Sequence, residues 1–130
     1  MATYTTISPG EALILIAHNA NVVIIDVRTR DEFSEAHIPG ALNLPLYEML
    51  ELLESYVIPL SQPIVVHCQS GQRSKIAAQA LAYVGYTNVY AVSGDLVEPF
   101  MLADELLYLC RQMTMHLIQD ENNGMLRKIR

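Results

Sequence analysis

Apolar positions along this chain follow two rhythms. Short continuous runs, Val22–Ile25 and Ile64–Val66 above all, are closed off by polar residues. Between them lie longer stretches in which apolar residues return every three or four positions. The continuous β-branched runs read as strands buried on both faces, and the longer spacing reads as helix. Strands are expected over Tyr4–Thr6, Asn21–Val27, Ala41–Leu44, Ile64–His67 and Asn88–Val92, the first at an edge and Ile64–His67 at the centre.

Helix starts are marked by their own chemistry. In Ser8-Pro9-Gly10-Glu11 a serine precedes a proline, with glutamate three residues on, which is a capping box opening a helix to about Asn19. Thr29-Arg30-Asp31-Glu32 repeats the box and opens a short helix. Ile38-Pro39-Gly40 is a turn, and Pro45 to about Ser55 a third helix. Ser74–Val84 is the next, with Ile76, Ala77, Ala80, Leu81 and Val84 on its apolar face and Gly85 closing it. Strands alternating with helices imply an α/β fold, a mostly parallel central sheet of about five strands with helices on both faces.

The character changes after Ser93-Gly94. Pro99 precedes a segment rich in leucine and methionine, from Phe100 through Leu106, Leu109 and Met113 to Ile118. It reads as one helix to about Gln119, followed by a tail through Asn122, Asn123 and Gly124. The division expected is residues 1–98 as the α/β domain and 99–130 as a C-terminal helical extension, packed on that domain or projecting from it. Its apolar surface either closes the core or binds a protein partner or a second copy.

Composition narrows the functions. A chain of 130 residues with 52% hydrophobic and 17% charged positions supports one domain with a true core. The formal charge of −6, with no long run of lysine and arginine, argues against nucleic acid. Arg127, Lys128 and Arg130 read as a solvated tail. No leader peptide is expected at Met1–Gly10, and Asp104, Glu105 and Arg111 interrupt the longest apolar stretch, so no membrane span is expected. Two cysteines, Cys68 and Cys110, suit a reducing compartment, and the expected location is cytoplasmic. The four histidines show no metal-ligand spacing, so neither metal nor cofactor is expected.

The chemistry concentrates in Cys68-Gln69-Ser70-Gly71-Gln72-Arg73-Ser74, where a strand ends and a helix begins. Ligands of parallel sheets sit beyond the carboxyl ends of the strands. Backbone N–H groups in such a loop point at whatever the sulfur carries, and the helix dipole favours the nucleophilic thiolate. Gly71 gives the loop freedom to turn its amides inward, Ser70 and Ser74 can donate hydrogen bonds, and Arg73 adds a permanent charge. A buried structural cysteine is the plainer alternative.

Three segments resemble the rhodanese-homology family. Ile25-Asp26-Val27-Arg28 followed by Glu32-Phe33 resembles its D-V-R…E-F/Y signature. His37-Ile38-Pro39-Gly40-Ala41, continued by Asn43-Leu44-Pro45, resembles its H-I-P-G-A turn. The loop from Cys68 to Ser74 is similar to its C-x-x-G-x-R-S active loop. The likeness runs from about Ile7 to Gly94. It implies a three-layer rhodanese-like fold and a sulfurtransferase. Cys68 would take a sulfane sulfur from a donor such as thiosulfate, hold it as a persulfide, and pass it to a thiophilic acceptor such as a thiol or cyanide. The amides from Gln69 to Ser74 would hold the outer sulfur, and Arg73 would draw in an anionic donor or orient the loop. Asp26, Arg28, Glu32 and His37 are supporting residues. Arg28 would pair with Glu32 or Asp26 behind the site, His37 would make a structural hydrogen bond, and His67 would point away from the pocket. One departure stands out: Ser93-Gly94 is followed by Asp95, and Glu98 stands where family members often carry tryptophan.

Three other readings stay open. A phosphatase or arsenate reductase of related fold uses a longer loop than the four residues, Gln69 through Gln72, found here. A catalytically quiet interaction module is the second, although such modules commonly lack the cysteine. In the third, Cys110 resolves an oxidised Cys68; the plainer view leaves Cys110 inert in its helix.

Overall fold

The fold is described from a computed structural model covering residues 3–122, with side chains to 118. Five strands, β1 (Thr5–Ile7), β2 (Val23–Asp26), β3 (Leu42–Asn43), β4 (Ile64–His67) and β5 (Val89–Val92), form one sheet in the order β1-β5-β4-β2-β3. Every pairing is parallel, and β4 lies at the centre with Asp26 in register with His67. Each expected strand is present: β4 has the expected bounds, β1 is shifted one residue toward Ile7, and β2, β3 and β5 are shorter by one or two residues at an end.

α1 (Pro9–His18) and α2 (Arg30–Glu35) open on the expected boxes. The Ser8 and Thr29 hydroxyls accept the N–H of Glu11 and Glu32, whose carboxylates return to the cap amides. The segment after Pro45 differs from the single helix expected there. It is a 3₁₀ turn, Leu46–Glu48, running into α3 (Met49–Leu53). The Leu46 N–H bonds to the Val27 carbonyl, which ties the start of the segment to the end of β2. Glu48, at φ −111° and ψ −3°, sits in the bridge region between the two helix types.

α4 (Gln72–Tyr83) begins two residues earlier than expected and is rotated. Ala77, Ala78, Leu81 and Ala82 are buried, whereas Ile76 and Val84 are exposed. Ser74 sets this phase: its hydroxyl reaches the Val92 carbonyl at 2.9 Å, and the alanines let the helix lie close to the sheet. The end is as expected. Gly85, at φ 115°, follows the last turn while Gly85 N–H and Tyr86 N–H bond back to Ala82 and Leu81, the Schellman pattern.

One core cluster joins Ile25, Val27, Ile64, Val66 and Ala91 of the strand segments to Met49, Leu53, Ala77 and Leu81. The alternate residues Ile24, Val65 and Val92 are buried outside that cluster, so both faces of the sheet are covered. α5 (Val97–Asn122) starts before Pro99 because the Asp95 carboxylate accepts the N–H groups of Val97 and Glu98, and proline is tolerated in a first turn. The chain divides into two compact units, one ending at Pro99 and the other beginning at Phe100. The basic tail, Arg127, Lys128 and Arg130, lies outside the described residues. Among the described residues no helix is long and apolar enough to cross a membrane.

Candidate active site

Cys68 follows the last residue of β4 and is fully buried. The chain then turns so that two amides face back to it. Gly71 N–H and Ser74 N–H reach Cys68 Sγ at 3.1 and 3.3 Å. Two N–H donors aimed at one sulfur favour negative charge on that atom, in the way an oxyanion hole favours it on oxygen.

Only glycine fits at 71. Its φ is 93°, and a Cβ there would lie 2.4 Å from the Ser93 carbonyl oxygen. The loop is thus pressed against the strand end after β5, and the left-handed residue is what turns its amides inward. Ser74, fully buried, shares its hydroxyl proton between the Gly71 and Val92 carbonyls. Gln69, Ser70 and Gln72 are exposed. On one flank the loop borders a cleft of about 250 Å³ lined by Thr6, Ser70, Gly71, Gln72, Lys75 and Ser93.

The other flank is tied to α2. Arg73 Nη1 and Nη2 donate to Glu32 Oε1 and Oε2 at 2.7 and 3.1 Å, a bidentate fork. Glu32 also closes the box at Thr29, so one carboxylate both caps α2 and holds the loop. The bond from Arg73 and those from Thr29 outweigh desolvation and hold the Glu32 pKa down at about 2. Arg73, expected either to draw in an anionic donor or to orient the loop, has its guanidinium bonded to Glu32, which accords with the second role.

Arg28 takes the other of its two expected partners. Its Nε and Nη2 donate to Asp26 Oδ1 and Oδ2 at 3.0 and 2.7 Å, and Nη2 also reaches the Ala36 carbonyl. Burial, the largest single influence, works against the Arg28 charge, but the bond to Asp26 and the negative charges of Asp26, Glu32 and Asp95 together outweigh it and raise the pKa. Asn43 Nδ2 donates to the Asp26 and Arg28 carbonyls, linking the turn after β2 to β3. His67 is also fully buried, with Nε2 3.7 Å from Asp26 Oδ2, and neither ring nitrogen has a hydrogen-bond partner. Burial pushes its pKa down. Cys68 packs into the α3–α4 cluster, whereas the His67 ring lies beside Asp26, its partner in register on β2. His37 Nδ1 donates to the Phe33 carbonyl at 2.8 Å, and its ring stacks on Phe33 at 3.8 Å.

The structure therefore brings Cys68, Gly71, Ser74, Arg73 and Glu32 into one bonded unit. Asp26 and Arg28 are bonded to each other, and His37 is bonded within its own turn. Cys110 is exposed on α5, in the second unit. Sequence reasoning missed Glu32 as the partner of Arg73, and it missed Lys75 beside the cleft. The box at Thr29 located Glu32; Lys75 carries no periodic or motif signal. Among the described residues no group of three or more His, Cys, Asp or Glu could hold a metal ion.

The chain is similar to several known proteins. A family model described as rhodanese-like domain matches residues 8–98. The chain is 34% identical over 77 residues to thiosulfate sulfurtransferase PspE of Escherichia coli K12, covering 58% of this chain and 74% of that protein. It is 33% identical over 94 residues to thiosulfate sulfurtransferase GlpE of Pseudomonas entomophila, covering 72% and 83%. Among solved structures, the human single-domain sulfurtransferase TSTD1 superposes with TM-score 0.60 at 30% identity, covering 71% of this chain and 91% of that one. A rhodanese-like domain protein from Staphylococcus aureus superposes with TM-score 0.63 at 25% identity, covering 71% and 87%.

Proposed function

The chain belongs to the rhodanese-like domain family, and on that footing we propose that Cys68 carries sulfane sulfur, as a persulfide, from an anionic donor to a thiophilic acceptor. The activity class is that of a rhodanese-type sulfurtransferase. The observation that carries the finer reading is the pair of amides, Gly71 and Ser74, aimed at a buried sulfur.

With thiosulfate as donor, the Cys68 thiolate attacks the outer sulfur. A new S–S bond forms to Cys68 Sγ, the donor S–S bond breaks, and sulfite leaves with its electron pair. The remaining amides of the Gln69–Ser74 loop hold the outer persulfide sulfur. An acceptor thiolate or cyanide then attacks that sulfur, leaves as a persulfide or as thiocyanate, and returns Cys68 as thiolate. Glu32 and Arg73 position the loop, and the Asp26–Arg28 pair braces the adjacent strand end. A site for a tetrahedral phosphoryl group fits less well: the loop is short, and the guanidinium that would clamp the oxyanion is occupied by Glu32. The chemistry sits in residues 1–98, with 99–130 as an extension. A free Cys68 thiol fits the reducing cytoplasm.

Mass spectrometry of the intact chain after incubation with thiosulfate tests this. The expected result is the gain of one sulfur atom, removed by cyanide or a reductant and absent in Cys68→Ser. An unmodified mass, or a gain that survives Cys68→Ser, overturns it.

A further inference from the structure

If donors are anionic, an unpaired cation beside the loop would draw them in, and the arginines of the α/β unit are already committed. Arg28 is neutralised by Asp26, Arg30 by Glu48 and Arg73 by Glu32. Lys75 is the remaining described cation of that unit, exposed on α4 one residue beyond the loop. No described carboxylate pairs with it.

Lys75 lines the cleft of about 250 Å³ beside the loop. The other polar side chains on its walls, Thr6, Ser70, Gln72 and Ser93, are neutral hydrogen-bonding groups, and no acidic residue is among them. In a chain of formal charge −6, such a spot stands out electrostatically. Gly71 belongs to both sites: its amide bonds Cys68 Sγ, and the same residue forms part of the cleft wall where it meets Ser93.

We infer that this cleft is the capture site for the anionic end of the sulfur donor and that Lys75 is the residue that selects for anionic donors. The inference rests on the sulfurtransferase reading above and replaces Arg73 by Lys75 as the donor-binding charge. Lys75 acts by attraction and local concentration, and Arg73 by holding the loop in shape.

Binding is tested apart from turnover. Thiosulfate is titrated into the intact Cys68→Ser protein, with amide chemical shifts followed by NMR. Shifts are expected at Thr6, Ser70 and Lys75. Adding Lys75→Gln should weaken the affinity about fivefold, Lys75→Glu should weaken it further, and Lys75→Arg should restore it. In the protein with Cys68 intact, Lys75→Gln should raise KM for thiosulfate by a similar factor with kcat unchanged. It should also flatten the dependence of kcat/KM on ionic strength. An affinity unaffected by Lys75→Gln, or shifts confined to residues away from the cleft, overturns the inference even where sulfur uptake on Cys68 is intact. Lys75-dependent binding with no sulfur uptake by the wild-type chain instead overturns the persulfide reading and leaves the anion site standing.

Discussion

At the scale of single residues, the site depends on positions where one alternative atom would not fit. Gly71 is the clearest. Its positive φ and the 2.4 Å approach of a would-be Cβ to the Ser93 carbonyl make Gly71→Ala both strained and crowded. The loop has to move away from Ser93, carrying the Gly71 amide off Cys68 Sγ. The expected cost is about 2 kcal/mol or more in urea unfolding, with sulfur transfer falling further than stability does. A variant with wild-type turnover would show that this amide is not needed. Arg73→Gln tests the other side of the loop. The half-buried fork to Glu32 contributes only about 1 kcal/mol to stability, but the variant should lower kcat by loosening the cradle. A change in KM for thiosulfate with kcat retained would return Arg73 to the role of donor-binding charge.

At the scale of elements, the two capping boxes look alike in sequence and do different jobs. Ser8 and Glu11 serve only α1. Thr29 and Glu32 cap α2 and, through Arg73, fix the loop before α4. Ser8→Ala and Thr29→Ala should each cost about 1 kcal/mol of stability. Only Thr29→Ala should also reduce sulfur transfer, because the Glu32 backbone N–H then loses the Thr29 hydroxyl that fixes the turn from which its carboxylate reaches Arg73. Parallel melts and turnover assays on the two variants check this; equal activity in both would separate the cap from the loop. The rotation of α4 belongs to the same scale. Ser74 binds the end of β5 and so turns Ala78 and Ala82 inward in place of Ile76 and Val84.

For the whole molecule, acid stability follows from two groups. Burial depresses the pKa of His67 below its ordinary value of 6.5. Asp26 opposes this, with Asp95 in support, while Arg28 reinforces the depression. The folded state therefore binds this proton less readily than the unfolded chain. The stability is present above about pH 6.5 and is lost as pH falls below it. Glu32 is held at about 2 against 4.5 when free, so its contribution is present above 4.5 and lost as pH falls toward 2. Both slopes have the same sign, and urea midpoints should fall in two windows on acidification. His67→Phe should flatten the upper window and Glu32→Gln the lower. An upper window unchanged in His67→Phe would assign it to another group.

The chain by itself determined the order and type of elements, both capping boxes, the glycine end of α4, the central strand and the position of Cys68. These are local matters: β-branched runs, Ser or Thr with Glu three residues on, and glycine where φ is positive each act within a few residues along the backbone. Only the tertiary structure decided which arginine meets which carboxylate, which face of α4 is buried, where the segment after Pro45 changes from 3₁₀ to α, and that Lys75 lines a cleft. Those outcomes depend on residues far apart in the chain, such as Glu32 with Arg73 and Ser74 with Val92. Their distances are set by how the strands stack side by side, and no spacing along the sequence records that.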